Sequence, residues 1–600
     1  MKRLYITCML LGTAAILHAN NISVSNVTLT GQNTSAGANN AANFSLVKFN
    51  LSWENSWRIS TGSANWDAAW IFVKFRVGAS DPTFTGVSSS GTTVTVNSTT
   101  NLRVGMPVRV TAGTGAFAAN TFISSITNAT QFVVTAAPST PLSGASIECI
   151  RIWEHARINN TGHTAPSGST IDAGLLTPGS AFNATTNPAV GVFMYRNANG
   201  SGTNTFNNTQ LRWNYGANGI NDNMMVSVQV FAIEMVFVPG AVDFTVGDGV
   251  SRSTFTQTTI TTGTANTAGG FPTGQTAPTN ASWPNGYNSF YCMKYEISQG
   301  QYRDFLNTLT RTQQANRVTM DGTVGRYAGG FTWTKGVLWN SGGEVTNLTT
   351  PANRIGLRLI ADPSPSGVSP RTFACDLNPS GSLPSGVNQS DDGECIAMGQ
   401  LNWMDGCAYM EWAGLRPMTE LEFEKACRGN QAVVSGENAW GNASTTSADN
   451  ITNGGQVGEV TNTANANSAS GDQTNVQGPL RVGMFAGAAT TRAQAGATYY
   501  GIMEMSGNQL ERVVTIGDAT GLGYTGLHGD GILNNNGNAT ITNWPGLISG
   551  EVTAASGSGF RGGAWNHNIL ELRVSDRIYA INPATSRYSN YGFRGVRVSP

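Results

Sequence analysis

Three short motifs in the last third of the chain constrain its fold more than any other feature of the sequence. They are RPMTELEFEKA at residues 416–426, YGIMEMSGNQLE at residues 500–511 and RGGAW at residues 561–565. Thr419 and Glu422 have the spacing of a capping box, which predicts a helix that starts after Thr419. The glycines, aromatic residues and arginines of the other two motifs are residue types that serve turns, packing and ion pairing. The motifs therefore indicate a domain in which the stretches between them have little regular secondary structure.

In this order, the motifs resemble the formylglycine-generating enzyme (sulfatase-modifying factor) family. The resemblance extends over roughly residues 234–600 and begins at the apolar strand of residues 235–240. It implies an α+β domain of C-type-lectin-like architecture, which we place at residues 233–600. Helices are predicted at about residues 299–309, 403–412 and 420–428.

The resemblance implies a copper site, but this chain differs at the residues that would form it. Active members of the family oxidise a cysteine of a client sulfatase to formylglycine with a copper ion held by two cysteines. At the corresponding positions this chain has Ile569 and Val574, and the serine that follows Gly-Gly in the family is Ala564. Hydrocarbon side chains cannot bind Cu(I), which prefers thiolates. We therefore expect no copper, no catalytic residue and no cofactor-binding residue in this domain.

Structural calcium is the cofactor that the sequence supports best. Carboxylate, amide and main-chain oxygens are the ligands that calcium requires. The candidates implied by the resemblance are Asn450, Ile451, Asn508 and Glu511. A separate loop between Cys375 and Cys395 offers Asp376, Asn378, Asp391 and Asp392. The alternative interpretation of that loop is a solvated acidic segment without a metal.

The N-terminus predicts export. Lys2 and Arg3 precede an apolar run at residues 4–17, and Ala19 precedes the first polar pair. This pattern is typical of a secretory signal peptide, here residues 1–19 with cleavage near Ala19. A transmembrane anchor would need a longer run, and no later segment is apolar enough to span a bilayer. We expect a secreted, extracellular or cell-surface protein.

Six cysteines follow the predicted leader, and an oxidising compartment would allow them to pair. Cys375 and Cys395 bracket one polar loop and form the best candidate disulfide. Cys407 and Cys427 fall in predicted helices, where they can equally be small core residues.

The sequence of the N-terminal third predicts β-structure. Short β-branched runs separated by Gly, Asn and Ser clusters predict an all-β sandwich at residues 20–232. Residues 80–148 differ in composition and predict a small β module inserted into this sandwich. The inserted stretch resembles β modules of phage tail and bacterial surface proteins, and a compact insertion with neighbouring ends costs little loop-closure entropy.

The amino-acid composition limits the classes of function that are expected. Only 12% of the 600 residues are charged, and the formal net charge is -1, so there is no electrostatic case for nucleic acid or anionic membranes. The favoured hypothesis is a bacterial surface protein whose non-catalytic domain serves binding, adhesion or assembly, including a fibre or sheath. Its partner would be an extracellular protein, a glycan or further copies of the chain. The alternatives are an enzyme of the family with altered chemistry and a lectin for carbohydrate or peptide.

Overall fold

The computed structural model describes residues 22–318, 352–363, 367–378, 386–471, 473–486 and 491–600. The predicted signal peptide lies outside the described residues. The N-terminal strands are β1 (Ser23–Asn33), β2 (Phe44–Arg58), β3 (Asp67–Val77), β4 (Thr83–Ser90), β5 (Thr93–Thr95), β6 (Val108–Ala116), β7 (Ile123–Asn128), β8 (Gln131–Val134), β9 (Thr140–Cys149), β10 (Glu154–His155), β11 (Ser169–Leu175), β12 (Ala189–Arg196), β13 (Gly200–Trp213) and β14 (Val226–Val238).

The remainder mixes short strands with helices. Its strands are β15 (Phe244–Val246), β16 (Thr258–Ile260), β17 (Phe290–Met293), β18 (Leu357–Ala361), β19 (Thr372–Cys375), β20 (Arg416–Pro417), β21 (Ile451–Thr452), β22 (Val460–Thr461), β23 (Glu511–Val514), β24 (Leu547–Ile548), β25 (Glu551–Val552), β26 (Ser558–Arg561) and β27 (Gly595–Val598). Its α-helices are α1 (Gln299–Leu306), α2 (Arg311–Arg317), α3 (Trp403–Trp412), α4 (Glu420–Arg428) and α5 (Ala519–Leu522).

Two sheets form the predicted sandwich. One has the order β1-β2-β13, and the other has the order β11-β12-β3-β14-β17-β27-β20, with β10 paired to β3. Strand β2 alternates buried and half-buried residues, as expected of a strand with one face on the core. Strand β3 is buried on both faces, because Ile71 faces the sandwich core and Trp70 faces the C-terminal domain.

Strand β14 joins the two halves of the molecule. It pairs with β3 from Val226 to Val236, and its last four residues also pair with β17 in the C-terminal domain. The predicted boundary between residues 232 and 233 therefore falls inside a single hydrogen-bonded strand. One continuous sheet runs from the sandwich into the C-terminal domain.

Strands β4 to β9 form the inserted module as a separate sheet of order β6-β9-β4-β5-β8-β7. The module has its own core, which includes Val94, Phe132 and Ile147. Its two ends meet, because the amide of Cys149 donates to the carbonyl of Pro82 at 2.9 Å. This geometry agrees with insertion into a surface connection of the sandwich.

The C-terminal domain has the predicted α+β character. Helix α4 begins with the predicted capping box: Thr419 Oγ1 accepts from the Glu422 amide at 3.2 Å, and Glu422 Oε2 accepts from the Thr419 amide at 3.0 Å. Helix α2 has a similar box between Thr310 and Gln313 and was absent from the sequence prediction. Within the described ranges, no helix is both long enough and apolar enough to cross a membrane.

Candidate functional site

The three sequence motifs meet in a buried network of ion pairs. Arg561 donates to Glu420 at 3.0 Å, to Glu424 at 2.7 Å and to the carbonyl of Val574 at 2.5 Å. Arg577 pairs with Glu420 at 2.7 Å. Because Arg561 and both glutamates are fully shielded from water, the network is satisfied only when all its members are present.

A second buried ion pair lies at the second motif, where Arg594 pairs with Glu511 at 2.8 Å, and Glu511 is the neighbour of Arg561 in the β23–β26 ladder. Arg594 also donates to the carbonyls of Met293 and Met503. The pKa of the Arg594 guanidinium is raised by Glu511, against the opposing effect of burial. Arg594, which directly precedes β27, thus links β17 to β23.

A glycine turn follows this network. Gly562 and Gly563 have φ angles of 84° and 68°, in the left-handed region that favours glycine. A Cβ atom on Gly562 would lie 2.8 Å from the carbonyl oxygen of Met505, so the chain passes too close for any side chain. The turn leads into the segment of residues 564–591, which contains both buried and exposed side chains.

Residues 564–591 carry an exposed apolar surface that the sequence analysis did not predict. Its large hydrophobic side chains, with their exposed fractions, are Ile569 (45%), Ile578 (42%), Tyr579 (36%), Ile581 (60%) and Tyr588 (44%). We call these five residues the isoleucine–tyrosine surface. The signal available in the sequence was a run of apolar residues without helical or strand periodicity.

Contacts beneath the surface connect its two tyrosines through His567, Asn590 and Tyr591. The ring of Tyr579 lies 5.5 Å from that of His567, and His567 Nε2 lies 3.0 Å from Asn590 Nδ2. Tyr591, next to Asn590, contacts Tyr588 edge-on with ring centroids 5.1 Å apart. Burial lowers the pKa of His567, so its imidazole is neutral at physiological pH.

Comparison with known proteins gives one family match. The sequence model of the sulfatase-modifying factor enzyme 1-like domain (FGE-sulfatase) matches residues 250–599, more than half of the chain. The chain belongs to this family. A search of curated proteins gives no match.

Two solved structures are similar to part of this chain. Treponema denticola variable protein 1 is 16% identical, with a TM-score of 0.24, over 62% of this chain and 96% of its own. PvdO from Pseudomonas aeruginosa is 15% identical, with a TM-score of 0.25, over 61% of this chain and 95% of its own.

The three positions that the sequence analysis aligns with the family's catalytic residues differ in their exposure to solvent. Ala564 is fully buried against Leu510 and Phe560. Val574 is 1% exposed in the core, whereas Ile569 lies on the surface.

Recruitment of other thiols is not favoured by the structure either. Cys292 and Cys427 share the core of Val574, and burial raises the pKa of Cys292 to about 12. Cys407 lies in a different core cluster. Buried thiols of high pKa are poor nucleophiles and poor copper ligands, because both roles need the thiolate.

The calcium candidates taken from the family have their oxygen atoms engaged. Asn508 Oδ1 accepts from the Leu480 amide at 2.8 Å, and the Asn450 carbonyl accepts from Asn462 and Thr461. Of the Glu511 carboxylate, Oε1 is held by an arginine and Oε2 alone has no partner. Ile451 forms the short β21–β22 pair. Calcium takes six to eight oxygen ligands.

The loop candidates are also engaged with protein groups. Asp376 pairs with Arg358 at 3.0 Å, and Asn378 donates to the carbonyl of Asp391 at 2.7 Å. Asp392 Oδ2 accepts from the Gln389 amide, and burial raises the pKa of this carboxyl to about 7. Over the residues that the structure describes, no three acidic, histidine or cysteine side chains are placed to hold a metal. Calcium stays a prediction from the sequence.

The predicted disulfide is not formed in this structure. Cys375 and Cys395 are both buried and both carry free thiols, as do the other four described cysteines. Pairing of Cys375 with Cys395 in an oxidising compartment also stays a prediction.

Proposed function

We propose that this chain is a secreted or cell-surface bacterial protein whose sulfatase-modifying factor domain binds a protein partner and performs no oxidation. The observation that carries the proposal is the isoleucine–tyrosine surface. It covers the segment in which catalytic members of the family would hold their copper ligands.

Clustering distinguishes this surface from scattered surface hydrophobics. The described residues include fifteen large hydrophobic side chains that are exposed, and five of them fall between Ile569 and Tyr588. Exposed hydrophobic residues that are scattered singly over a surface are normal and need no explanation. The concentration within 20 residues of chain therefore supports binding.

The chemistry of the surface favours a protein over a glycan. Three of the five side chains are isoleucines, which offer no flat face for a sugar ring and no hydrogen-bonding group. Apolar side chains and tyrosines with charged residues near them are typical of protein interfaces. Arg252, which pairs with Glu571 and Asp576 beside the patch, supplies such a charged rim.

The absence of suitable thiols supports the same proposal. Ile569 and Val574 provide hydrocarbon where the oxidase chemistry needs thiolate, and Ala564 provides no hydroxyl. A domain that keeps its buried ion pairs but has no reactive group can still hold a binding surface in a fixed geometry.

The proposal is tested by binding. The purified chain, immobilised, is presented to a panel of extracellular matrix and cell-surface proteins in biolayer interferometry. The Ile578→Ser/Ile581→Ser variant is expected to lose any specific binding, while Ile126→Ser, which alters an exposed isoleucine of the inserted module, retains it. Equal binding by both variants would refute this surface as the site.

Two further measurements separate the remaining alternatives. Self-association appears as a concentration-dependent mass in sedimentation analysis and as filaments in negative-stain microscopy. Oxidase activity appears as aldehyde, detected by mass spectrometry, after the copper-loaded protein is incubated with a cysteine-containing sulfatase peptide. Aldehyde formed at enzymatic rates would overturn the non-catalytic proposal.

A further inference from the structure

A deep cleft lies where the sandwich, the inserted module and the C-terminal domain meet. Its volume is about 410 Å³, within the range of small-molecule sites. The sandwich contributes Lys74 and His155, the module contributes Val104, and the C-terminal domain contributes Leu309, Trp412 and Asp530. The exposed apolar surface described above is not part of this cleft.

Lys74 is the unusual residue of the cleft. It lies on β3 and is 2% exposed, and its ammonium group donates one hydrogen bond, to the carbonyl of Gly531 at 2.7 Å. The Trp412 ring centroid lies 5.3 Å from Lys74 Nζ. Within the described parts of the chain, no carboxylate oxygen approaches Lys74 Nζ within the 4.0 Å of an ion pair.

Lys294 shows what a purely structural buried lysine looks like in the same protein. It is also 2% exposed, but its ammonium group pairs with Glu234 at 2.9 Å and with Asp67 at 3.3 Å. Those carboxylates raise the pKa of Lys294 well above its ordinary value, although burial opposes them. A buried charge that serves stability is normally paired in this way. Lys74 is not paired and instead borders an open cavity.

We propose that Lys74 is a reactive amine that forms a reversible imine with a small aldehyde or ketone bound in this cleft. The geometry that supports it is a buried, unpaired amine at the wall of a ligand-sized cavity, with carboxyl groups nearby. Lysines held in apolar pockets are the nucleophiles of such chemistry.

The neighbouring groups supply the protons that the reaction needs. Glu411 lies behind Asp530, and burial and the charge of Asp530 raise the pKa of the Glu411 carboxyl well above its ordinary value. Burial also raises the pKa of Asp530. Burial therefore favours the protonated form of both carboxyl groups, next to an amine that burial favours in its neutral form.

The step balances without any oxidant or reductant. The Lys74 nitrogen attacks the carbonyl carbon, the C–N bond forms, and the carbonyl oxygen takes a proton from the carboxyl pair to give a carbinolamine. A second proton converts this hydroxyl to water, the C–O bond breaks, and the two amine protons return to the pair. The products are the imine and one water molecule, and hydrolysis reverses every step.

The titration behaviour of the site agrees with this geometry. Burial lowers the pKa of Lys74 to about 7, against the opposing charges of Asp530 and Glu411. Burial and the charge of Lys74 keep the His155 imidazole neutral by lowering its pKa. Of the arginines at the cleft, Arg103 is neutralised by its pair with Glu154 at 2.8 Å, and Arg157 remains as a positive group.

The walls of the cleft restrict the ligand. Leu176, Val190, Leu309 and Trp412 provide apolar surface, so the body of the carbonyl compound should be largely apolar. The carbonyl group itself would point toward Lys74 and Asp530.

The test is reductive trapping in the full-length chain. Butanal and cyanoborohydride are added at pH 7, and peptide mass spectrometry locates the alkylated lysines over time. Because an ordinary lysine is almost fully protonated at pH 7, Lys74 is expected to be modified at least about tenfold faster than Lys294. Lys425 is the second comparison, because burial lowers its pKa to about 8 but it does not line this cleft.

The outcomes decide the proposal. Modification of Lys74 ahead of both comparison lysines, slowed by Asp530→Asn and absent in Lys74→Met, is the expected result. Labelling of Lys74 only after denaturation, or at the rate of Lys425, would overturn it. The comparison among lysines uses the unaltered protein, so it decides the question even if a variant does not fold.

Discussion

Lys294, directly after β17, donates to Glu234 on the neighbouring strand at 2.9 Å, and both side chains are buried. Glu234 lies within β14, the strand that both halves of the molecule share. This ion pair places a full charge at the centre of a continuous sheet.

Removal of the Lys294 charge should destabilise the protein strongly. Lys294→Met leaves Glu234 and Asp67 as uncompensated buried charges, which costs about 3–5 kcal/mol. The midpoint of urea unfolding, followed by tryptophan fluorescence, measures the loss. Lys48→Met on β2, where the side chain is half-buried and unpaired among the described residues, should change stability by only about 0.5 kcal/mol. Similar losses in both variants would contradict the role of the pair.

Stability should decrease as pH rises through the range in which Glu504 titrates. Burial raises the pKa of Glu504 to about 7, so the folded state keeps a proton that the unfolded state loses above about pH 4.5. The effect is absent below pH 4.5, grows between pH 4.5 and 7, and reaches about 3 kcal/mol above pH 7.

The Glu504→Gln variant isolates this contribution. Its stability relative to the unaltered protein should rise steadily between pH 5 and 8, because glutamine has no proton to lose. Chemical unfolding at several pH values gives the difference directly. A difference that does not change with pH would show that the Glu504 carboxyl is ionised in the folded protein.

Arg561 should be irreplaceable by lysine. The guanidinium connects two helix α4 glutamates and a carbonyl at once, and an ammonium group cannot reproduce this fork. Arg561→Met should cost about 3–5 kcal/mol, and Arg561→Lys should recover only part of it. Arg573→Met, at an arginine without an ion pair among the described residues, is the matched control. Full recovery by lysine, measured by thermal unfolding, would argue against the bridging role.

Restoration of the family's catalytic residues should not restore oxidation. In the Ala564→Ser/Ile569→Cys/Val574→Cys variant, one thiol would lie on the surface and the other in the core, as the present side chains do. Two thiolates must converge on one copper ion, so we expect no aldehyde in the sulfatase peptide. Mass spectrometry of the peptide provides the measurement, and aldehyde at enzymatic rates would mean that the segment can rearrange.

The inserted module should be removable. Its ends are joined by a backbone hydrogen bond and its core is its own, so replacement of residues 83–148 by a short Gly-Ser linker should leave the sandwich folded. Retained near-UV circular dichroism and unchanged resistance of the remaining chain to limited proteolysis are the expected results. Loss of the near-UV signal would show that the module is needed for folding.

The sequence predicted those parts of the fold that rest on local patterns. The capping box of Thr419 and Glu422, the alternation along β2 and the arginines of the motifs are all readable from neighbouring residues. They led directly to the helix, the sandwich strand and the buried ion pairs that the structure contains.

Features that depend on distant partners were not predictable in the same way. The predicted boundary between residues 232 and 233 lies beside Glu234, yet β14 continues through it, and Lys294, far along the chain, pairs with this buried carboxylate. The cleft around Lys74 needs residues from three separate parts of the chain. The isoleucine–tyrosine surface has no periodicity, so its exposure became visible only in three dimensions.

The shared strand β14 also has a mechanical consequence. If the protein is held at one end and its partner pulls at the other, the force passes along the backbone of β14 and loads the β3 ladder in shear. Many hydrogen bonds must then break together, whereas a flexible linker at the same position would simply reorient. The shared strand should therefore transmit tension between the two halves of the molecule and prevent their rotation relative to each other.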